Sequence, residues 1–454
     1  MRQRPQEQDK NLRRSNFDAV ESNLTSEQVK AEASRCLTCK NPRCVKGCPV
    51  NIQIPDFIKA LKEDDLEKAG EIIRQTSMLP SVCGRVCPQE RQCEGNCVLG
   101  IKGEAIAIGA LERYVGDNTS AKKVDIIPSG KKVAIVGSGC AGITAAADLR
   151  KAGHDVTIFE ALHKFGGVLR YGIPPFRLPR KVLDREITNL QEMGVKFEKN
   201  VIVGKSITLK QLKEDGFDAI FICSGAGLPK MMNISGENLN GVFSANEFLT
   251  RVNLMQANED VTPTPLKVGK SVAVIGGGNV AMDAARTAVR VGFETVYIVY
   301  RRTEAELPAR LEEIRHAKEE GVNFVFLHAP AEILEKEGYV AGMRFEIMEL
   351  GEPDESGRRS PIGTGRFTDL DVDTVIVALG TGPNPIIQKS ASADGLDFET
   401  DRRGYFVVNE ETRETSIPTI FAGGDVAPVG ASNAINAMGA GKKAAKAINE
   451  FLSK

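Results

Sequence analysis

The sequence predicts an α/β fold: an N-terminal α-helical, cysteine-bearing domain followed by two Rossmann-like dinucleotide-binding domains, the first of them discontinuous. Three observations carry this prediction. Eight of the ten cysteines fall between Cys36 and Cys97. From Lys131 to Glu160 an apolar β run, a GxGxxG turn, a helical stretch and a second β run follow one another in register. The same unit recurs from Lys270 to Arg302. At 454 residues the chain is too long for one core, and about two to four domains are expected.

Composition narrows the class. With 42% hydrophobic and 26% charged residues the chain reads as an ordinary globular protein. There is no apolar run of about 18 residues or more, and the first 35 residues are polar with both signs of charge. Neither a transmembrane helix nor a signal peptide is expected, and a cytoplasmic location follows. Fifty-nine Lys and Arg against 60 Asp and Glu leave a net charge of −1, which argues against nucleic acid or an anionic membrane as partner. Four histidines argue against a His-rich metal site.

Residues 1–120 carry helical periodicity and cysteine loops. Ser26 to Ala33 reads as a short helix, Ile54 to Leu79 as an amphipathic pair stopped by Pro80, and Ala105 to Tyr114 as a further helix. The cysteines form two sets, Cys36-x2-Cys39-x4-Cys44-x3-Cys48-Pro49 and Cys83-x3-Cys87-Pro88-x4-Cys93-x3-Cys97. In a chain without a signal peptide such clustering points to metal rather than disulfides. A run closed by Cys-Pro is the bacterial ferredoxin pattern, in which the last cysteine serves the other cluster. Two four-iron clusters need eight ligands, and eight cysteines are present. Two four-cysteine zinc sites are the alternative, but zinc favours paired CxxC knuckles and only Cys36 to Cys39 forms one.

A polar connector is expected over about 117–130. Beyond it, Gly137, Gly139 and Gly142 follow the first β run, and Glu160 ends the second, 23 residues after Gly137. These are the parts of a dinucleotide fingerprint. The glycines let backbone N–H groups approach a pyrophosphate at a helix N-terminus, and the acid accepts from ribose hydroxyls. In the second unit Gly276 and Gly278 precede Asn279, Ala281 replaces the third glycine, and the strand ends in Arg301 and Arg302. A carboxylate at that strand end repels a 2′-phosphate, whereas guanidinium groups bind it, so the first turn suits an unphosphorylated ribose and the second NADP. A solvated strand end is the plainer alternative for the two arginines. Near the C-terminus a β run ends at Gly424 and Asp425. The acid can hold a ribitol or ribose hydroxyl, and the N-terminus of the following helix, Ala434 to Phe451, can stabilise negative charge on a reduced ring.

This order of parts resembles the two-dinucleotide-binding-domain flavoproteins, specifically the glutamate synthase small-subunit (β-subunit) group. That group includes the large subunit of NADH-dependent reduced ferredoxin:NADP oxidoreductase and the N-terminal part of dihydropyrimidine dehydrogenase. The resemblance implies FAD at the first fingerprint, NADPH at the second, and two [4Fe–4S] clusters with crossed ligation. One cluster would take Cys36, Cys39, Cys44 and Cys97. The other would take Cys48, Cys87, Cys93 and, from the matching stretch Ile108-Gly109-Ala110-Leu111-Glu112, the carboxylate of Glu112. Cys83 would then be a spare thiol, although spacing alone makes Cys83 a ligand and Glu112 a helix-surface acid. Gly166 and Gly167 open a stretch, running to Pro174, that matches the group's flavin-facing segment.

The implied domains are 1–120 for the clusters, 130–235 with 381–454 for FAD, and 236–380 for NADPH. The implied activity is hydride exchange between NADPH and FAD and single-electron transfer through the clusters to a partner. The resemblance leaves two partners: a smaller flavin and [2Fe–2S] subunit working with ferredoxin, which is the first reading, or the large amidotransferase chain of glutamate synthase. A non-catalytic redox sensor or scaffold is a more distant alternative.

Overall fold

The computed structural model describes residues 1–121, 125–259, 262–355, 357–428 and 432–454, so part of the expected connector lies outside the described residues. The N-terminal region is helical. Ser26–Ser34 starts on a capping box in which Thr25 and Gln28 exchange side-chain and backbone bonds. The expected pair over 54–79 is Ile54–Lys62 and Leu66–Arg74, the second capped by Asp65. Pro80 stops no helix, since the second of the pair ends at Arg74; it begins the next one, Pro80–Val86. A proline's missing N–H costs nothing in the first turn, where that group has no helical partner. The last helix of the region is Ile108–Asn118, three residues later than its expected start.

Two parallel five-stranded sheets follow. The first has the order Ile420–Ala422, Ala219–Ile222, Lys132–Val136, Asp155–Glu160, Lys196–Lys199. The second runs Val242–Ser244, Thr374–Val377, Ser271–Ile275, Thr295–Tyr300, Asn323–Phe326. Their central strands are short, apolar and buried on both faces, as parallel strands between helical layers must be. The chain leaves the first sheet after Ile222 and returns to it after Val377. Leu228–Pro229 on the way out pairs antiparallel with Thr381–Gly382 on the way back.

A three-stranded antiparallel sheet, His328–Lys336, Tyr339–Pro353 and Arg359–Leu370, was not anticipated from the sequence. Its buried Ile333, Met343 and Phe345 pack on Val299 and Val375 of the second parallel sheet. The C-terminal helix Ala434–Leu452 lies along the helix Cys140–Lys151 and carries the ion pair Lys442–Asp148 at 2.9 Å.

A buried ionic seam fastens the second dinucleotide unit to the rest. Arg177 hydrogen-bonds Asp283 at 2.7 Å and forms an ion pair with Glu313 at 2.9 Å. Glu320, fully buried, receives Arg286 at 2.8 Å, Arg290 at 2.6 Å and Arg13 at 3.0 Å. Arg286 and Arg290 also stack on Phe176, 4.6 and 3.9 Å from its centroid. No helix among the described residues is long and apolar enough to cross a membrane.

Candidate nucleotide and cluster sites

The two glycine turns are built alike. Each first strand ends in a turn whose second glycine, Gly139 or Gly278, is the N-cap of the next helix, with no side chain capping it. The first N–H groups of both helices therefore lack a side-chain acceptor, the arrangement that receives a phosphate. A Cβ built on either glycine meets no protein atom within 4 Å, so the space in front of each turn is open. Gly142 differs: a Cβ there would stand 2.1 Å from the Gly137 carbonyl oxygen, so this glycine serves helix–strand packing. Ala281, fully buried, takes the corresponding place in the second unit. Both turns fit a pyrophosphate.

Glu160 is buried at its strand end, as expected, but its carboxylate is already engaged. Oε2 accepts from the Ser138 backbone N–H at 3.0 Å and from the Ser138 hydroxyl, and Oε1 accepts from Leu162 N–H at 2.9 Å. Oε1 keeps a second lone pair for a ribose hydroxyl, whereas Oε2 already accepts two bonds from Ser138. Ser138 Oγ in turn accepts from Gly166 N–H at 2.9 Å, and a Cβ on Gly167 would come 3.0 Å from Gly139 Cα. Glu160, Ser138, Gly166 and Gly167 thus close around the first turn. Ser138 was not singled out beforehand; a hydroxyl in the variable position of the turn was its signal.

Tyr171 is half-buried, and its phenol is pushed up to about 12 by desolvation and then by Asp425, Glu160 and Cys140 around it. Burial also raises the Asp425 carboxyl, although Ser432 bonds it. The C-terminal helix does not follow Asp425 directly. It begins at Ala434, and Asn433 caps it by accepting from Asn436 N–H.

The two arginines expected at the second turn separate. Arg301 is exposed. Arg302 is buried, and its Nε donates to the Arg359 carbonyl at 2.8 Å, tying the strand end to the antiparallel sheet. Asn279, first in its helix, accepts from Arg310 N–H at 2.9 Å.

The cysteines form two groups that mix the two sequence sets. Cys36, Cys39, Cys44 and Cys97 line one apolar pocket with Ile54, Ile58 and Leu99. These four are partly exposed. Burial raises the Cys36 and Cys44 thiols, Cys44 to about 11, and each also feels Cys97. Cys48, Cys87 and Cys93 are buried and share Glu112 as an electrostatic neighbour; burial lifts Cys48 to about 11 and Cys93 well above its ordinary value. Glu112 is itself buried, which pushes its carboxyl up to about 8, and its Oε1 has no hydrogen-bond partner. A buried, unpartnered carboxylate oxygen among three thiols is costly unless it ligates something. Cys83 is fully buried beside this group, where its nearness raises the Cys87 thiol, but it is already partnered, lying 3.4 Å from Met438 Sδ and 3.9 Å from Ser77 Oγ. No three of these thiol or carboxylate ligand atoms lie mutually within 4.8 Å. None of the ten cysteines forms a disulfide.

Comparison with known proteins agrees with this layout. A family model described as dihydropyrimidine dehydrogenase domain II, 4Fe-4S cluster, matches residues 13–124, and one described as pyridine nucleotide-disulphide oxidoreductase matches 131–441. The small chain of glutamate synthase [NADPH] from Escherichia coli is 36% identical over 97% of this chain and 95% of that one. The β subunit of NADP(+)-dependent formate dehydrogenase from Moorella thermoacetica is 39% identical over 90% of this chain, which spans 60% of the Moorella subunit's length. FprA of Mycobacterium tuberculosis, solved in complex with NADPH, shares the fold with a TM-score of 0.58, 22% identity, and 72% of this chain matched to 85% of that one.

Proposed function

The chain belongs to the pyridine nucleotide-disulphide oxidoreductase family, among the glutamate synthase small-chain-like FAD/iron–sulfur oxidoreductases, and on that premise we propose that it is the subunit that moves electrons between NADPH and a partner through FAD and two [4Fe–4S] clusters. The FAD domain is 130–235 with 381–454, the NADPH domain 236–380, and the cluster domain 1–120. When bound, FAD exchanges hydride with NADPH and passes electrons singly, and the clusters carry single electrons.

The chain's own residues set the order of sites. Gly139 and the N–H groups after it hold the FAD pyrophosphate, Glu160 the ribose, and Asp425 a further hydroxyl. Gly278 and Arg301 hold NADPH. Cys48, Cys87, Cys93 and Glu112 hold the inner cluster; Cys36, Cys39, Cys44 and Cys97 hold the outer one. The observation that carries this reading is the continuity between the first glycine turn and the inner thiols. Cys140, next to Gly139, feels both Asp425 and Cys83, and the C-terminal helix lays Met438 on Cys83 and Gly439 near Pro49 and Val50. From there the outer group leads to the surface.

The surface beside that outer group suits an acidic partner. Leu37, Val98 and Ile101 are 60%, 37% and 65% exposed, and Lys40, Arg43, Lys46 and Lys102 are exposed around them. No acidic residue lies between Cys36 and Cys48 or between Cys97 and Gly103. Charge of this kind speeds and orients an electron-transfer encounter.

For the partner, the first reading remains the small flavin and [2Fe–2S] subunit of a ferredoxin:NADP oxidoreductase. The second, a glutamate synthase amidotransferase chain, is favoured by the end-to-end match to the E. coli small chain. Anaerobic purification from the native cell, with mass spectrometry of co-eluting chains, decides between them. A small flavin and [2Fe–2S] chain supports the first. A large chain with an N-terminal cysteine amidotransferase domain supports the second. A chain that elutes alone overturns the subunit reading.

A further inference from the structure

We infer that Arg358 and Arg359, at the start of the third strand of the antiparallel sheet, complete the 2′-phosphate site and are specificity-determining residues for NADPH over NADH. This rests on the reading that the second glycine turn takes NADPH. The expected pair at the strand end is not a pair in space. Arg302 turns inward and spends its Nε on the Arg359 carbonyl at 2.8 Å. That leaves Arg301 as the exposed cation of the two. The same bond brings in a segment 57 residues further along the chain and places two more arginines at the strand end.

Arg358 Nη2 lies 3.4 Å from the Tyr300 hydroxyl. Tyr300 ends the strand and walls the glycine turn: a Cβ on Gly277 would stand 2.8 Å from its ring. Tyr300 Oη donates to the Glu306 carbonyl at 2.9 Å, so Arg358 and the turn after Arg302 meet on one hydroxyl. Arg359 acts on the Glu306 carboxylate of that turn. The nearby acids are already engaged, Glu304 by Lys318 at 2.6 Å and Glu306 by capping Thr303 at 3.0 Å. Arg358 and Arg359 are both exposed. Three guanidinium groups, those of Arg301, Arg358 and Arg359, therefore rim the place where a fingerprint of this kind sets the 2′-position of the ribose. A phosphate dianion there is recognised by guanidinium forks and a ribose hydroxyl is not.

The test uses the oxidised holoprotein and measures binding, not turnover. The probes are 2′,5′-ADP, 5′-AMP, NADP+ and NAD+, titrated calorimetrically at low salt. Arg358→Ala and Arg359→Ala should each raise the Kd for 2′,5′-ADP and NADP+ roughly tenfold, leave 5′-AMP and NAD+ within about twofold, and lose much of the effect at high salt. Arg358→Lys and Arg359→Lys should recover part of the loss. Because the Arg359 carbonyl survives both alanine changes, the bond to Arg302 persists and melting temperatures should stay near that of the parent. If the parent prefers 2′,5′-ADP over 5′-AMP and Arg301→Ala abolishes that preference while Arg358→Ala and Arg359→Ala leave it intact, this inference is overturned and the NADPH reading stands. If the parent shows no preference, the NADPH reading itself fails. Equal losses for all four probes would mean that the two arginines only brace the sheet.

Discussion

Within the first glycine turn, two substitutions of the same size should have opposite consequences. Gly139→Ala adds a methyl group where no protein atom lies within 4 Å, at φ −75° and ψ −172°, a conformation alanine adopts freely. Its effect on the apoprotein should stay within about 1 kcal/mol, the weaker alanine N-cap offsetting the lower entropy of the unfolded chain. The methyl group stands where the FAD pyrophosphate must come up to the helix N-terminus. Losing one or two charge-assisted hydrogen bonds at ~1.5–3 kcal/mol each weakens FAD binding by about a hundredfold. Gly142→Ala instead drives a Cβ to 2.1 Å from the Gly137 oxygen and 3.0 Å from Cys223 Sγ. Helix propensity would favour that alanine by ~1 kcal/mol, but the clash is with backbone and should cost about 1–3 kcal/mol or more. The assays are thermal melting of flavin-stripped protein and fluorescence titration with FAD. A Gly139→Ala variant that binds FAD at the parent's affinity, or a Gly142→Ala variant more stable than the parent, would refute the reasoning.

Other consequences follow from the same geometry. Gly278→Ala should weaken NADP+ binding without displacing FAD, as read by flavin content and nucleotide titration. Glu112→Ala should cut iron and labile sulfide by about half by removing the inner cluster. Cys83→Ala should keep both clusters at a cost of about 1–2 kcal/mol for a small buried void. The reverse outcome would make Cys83 the ligand. Glu320 sits among Arg13, Arg286 and Arg290, and the last two hold its carboxyl down from 4.5 to about 2 against the opposing effect of burial. A depressed carboxylate stabilises the fold above its unfolded pKa and loses that contribution as pH falls through the folded value. Roughly 3 kcal/mol should therefore disappear from the apoprotein between about pH 4.5 and 2. The difference in urea stability between the parent and Glu320→Gln should shrink over that window; a constant difference contradicts the assignment.

Much of this molecule is written locally in the sequence, and the parts that are not share a cause. The glycine turns were legible because strand, turn and helix are contiguous and each residue answers to its neighbours. Pro80 reads as a helix stop because its missing N–H breaks a helix interior, yet the same lack is harmless in a first turn, and the helix before it has already ended at Arg74. The antiparallel sheet from His328 to Leu370 was missed. Its strands bury one face against the second parallel sheet, through Met343 and Phe345, and its sequence signals were the turn glycines Gly338 and Gly357, both at positive φ. Arg301 and Arg302 look equivalent as neighbours, but both lie just past the strand, which ends at Tyr300, and the Arg359 carbonyl captures one of them. Cysteine spacing alone favoured Cys83 over Glu112, since spacing says nothing about which buried group is left without a partner.

The central claim is that this one chain takes electrons from NADPH into bound FAD. It is tested most directly by mixing the anaerobic, FAD-loaded holoprotein with NADPH and following the flavin absorbance. Bleaching on mixing, far faster than with NADH at the same concentration and reversed by a one-electron acceptor, is the expected result. A flavin that stays oxidised while both FAD and nucleotide are bound would contradict it.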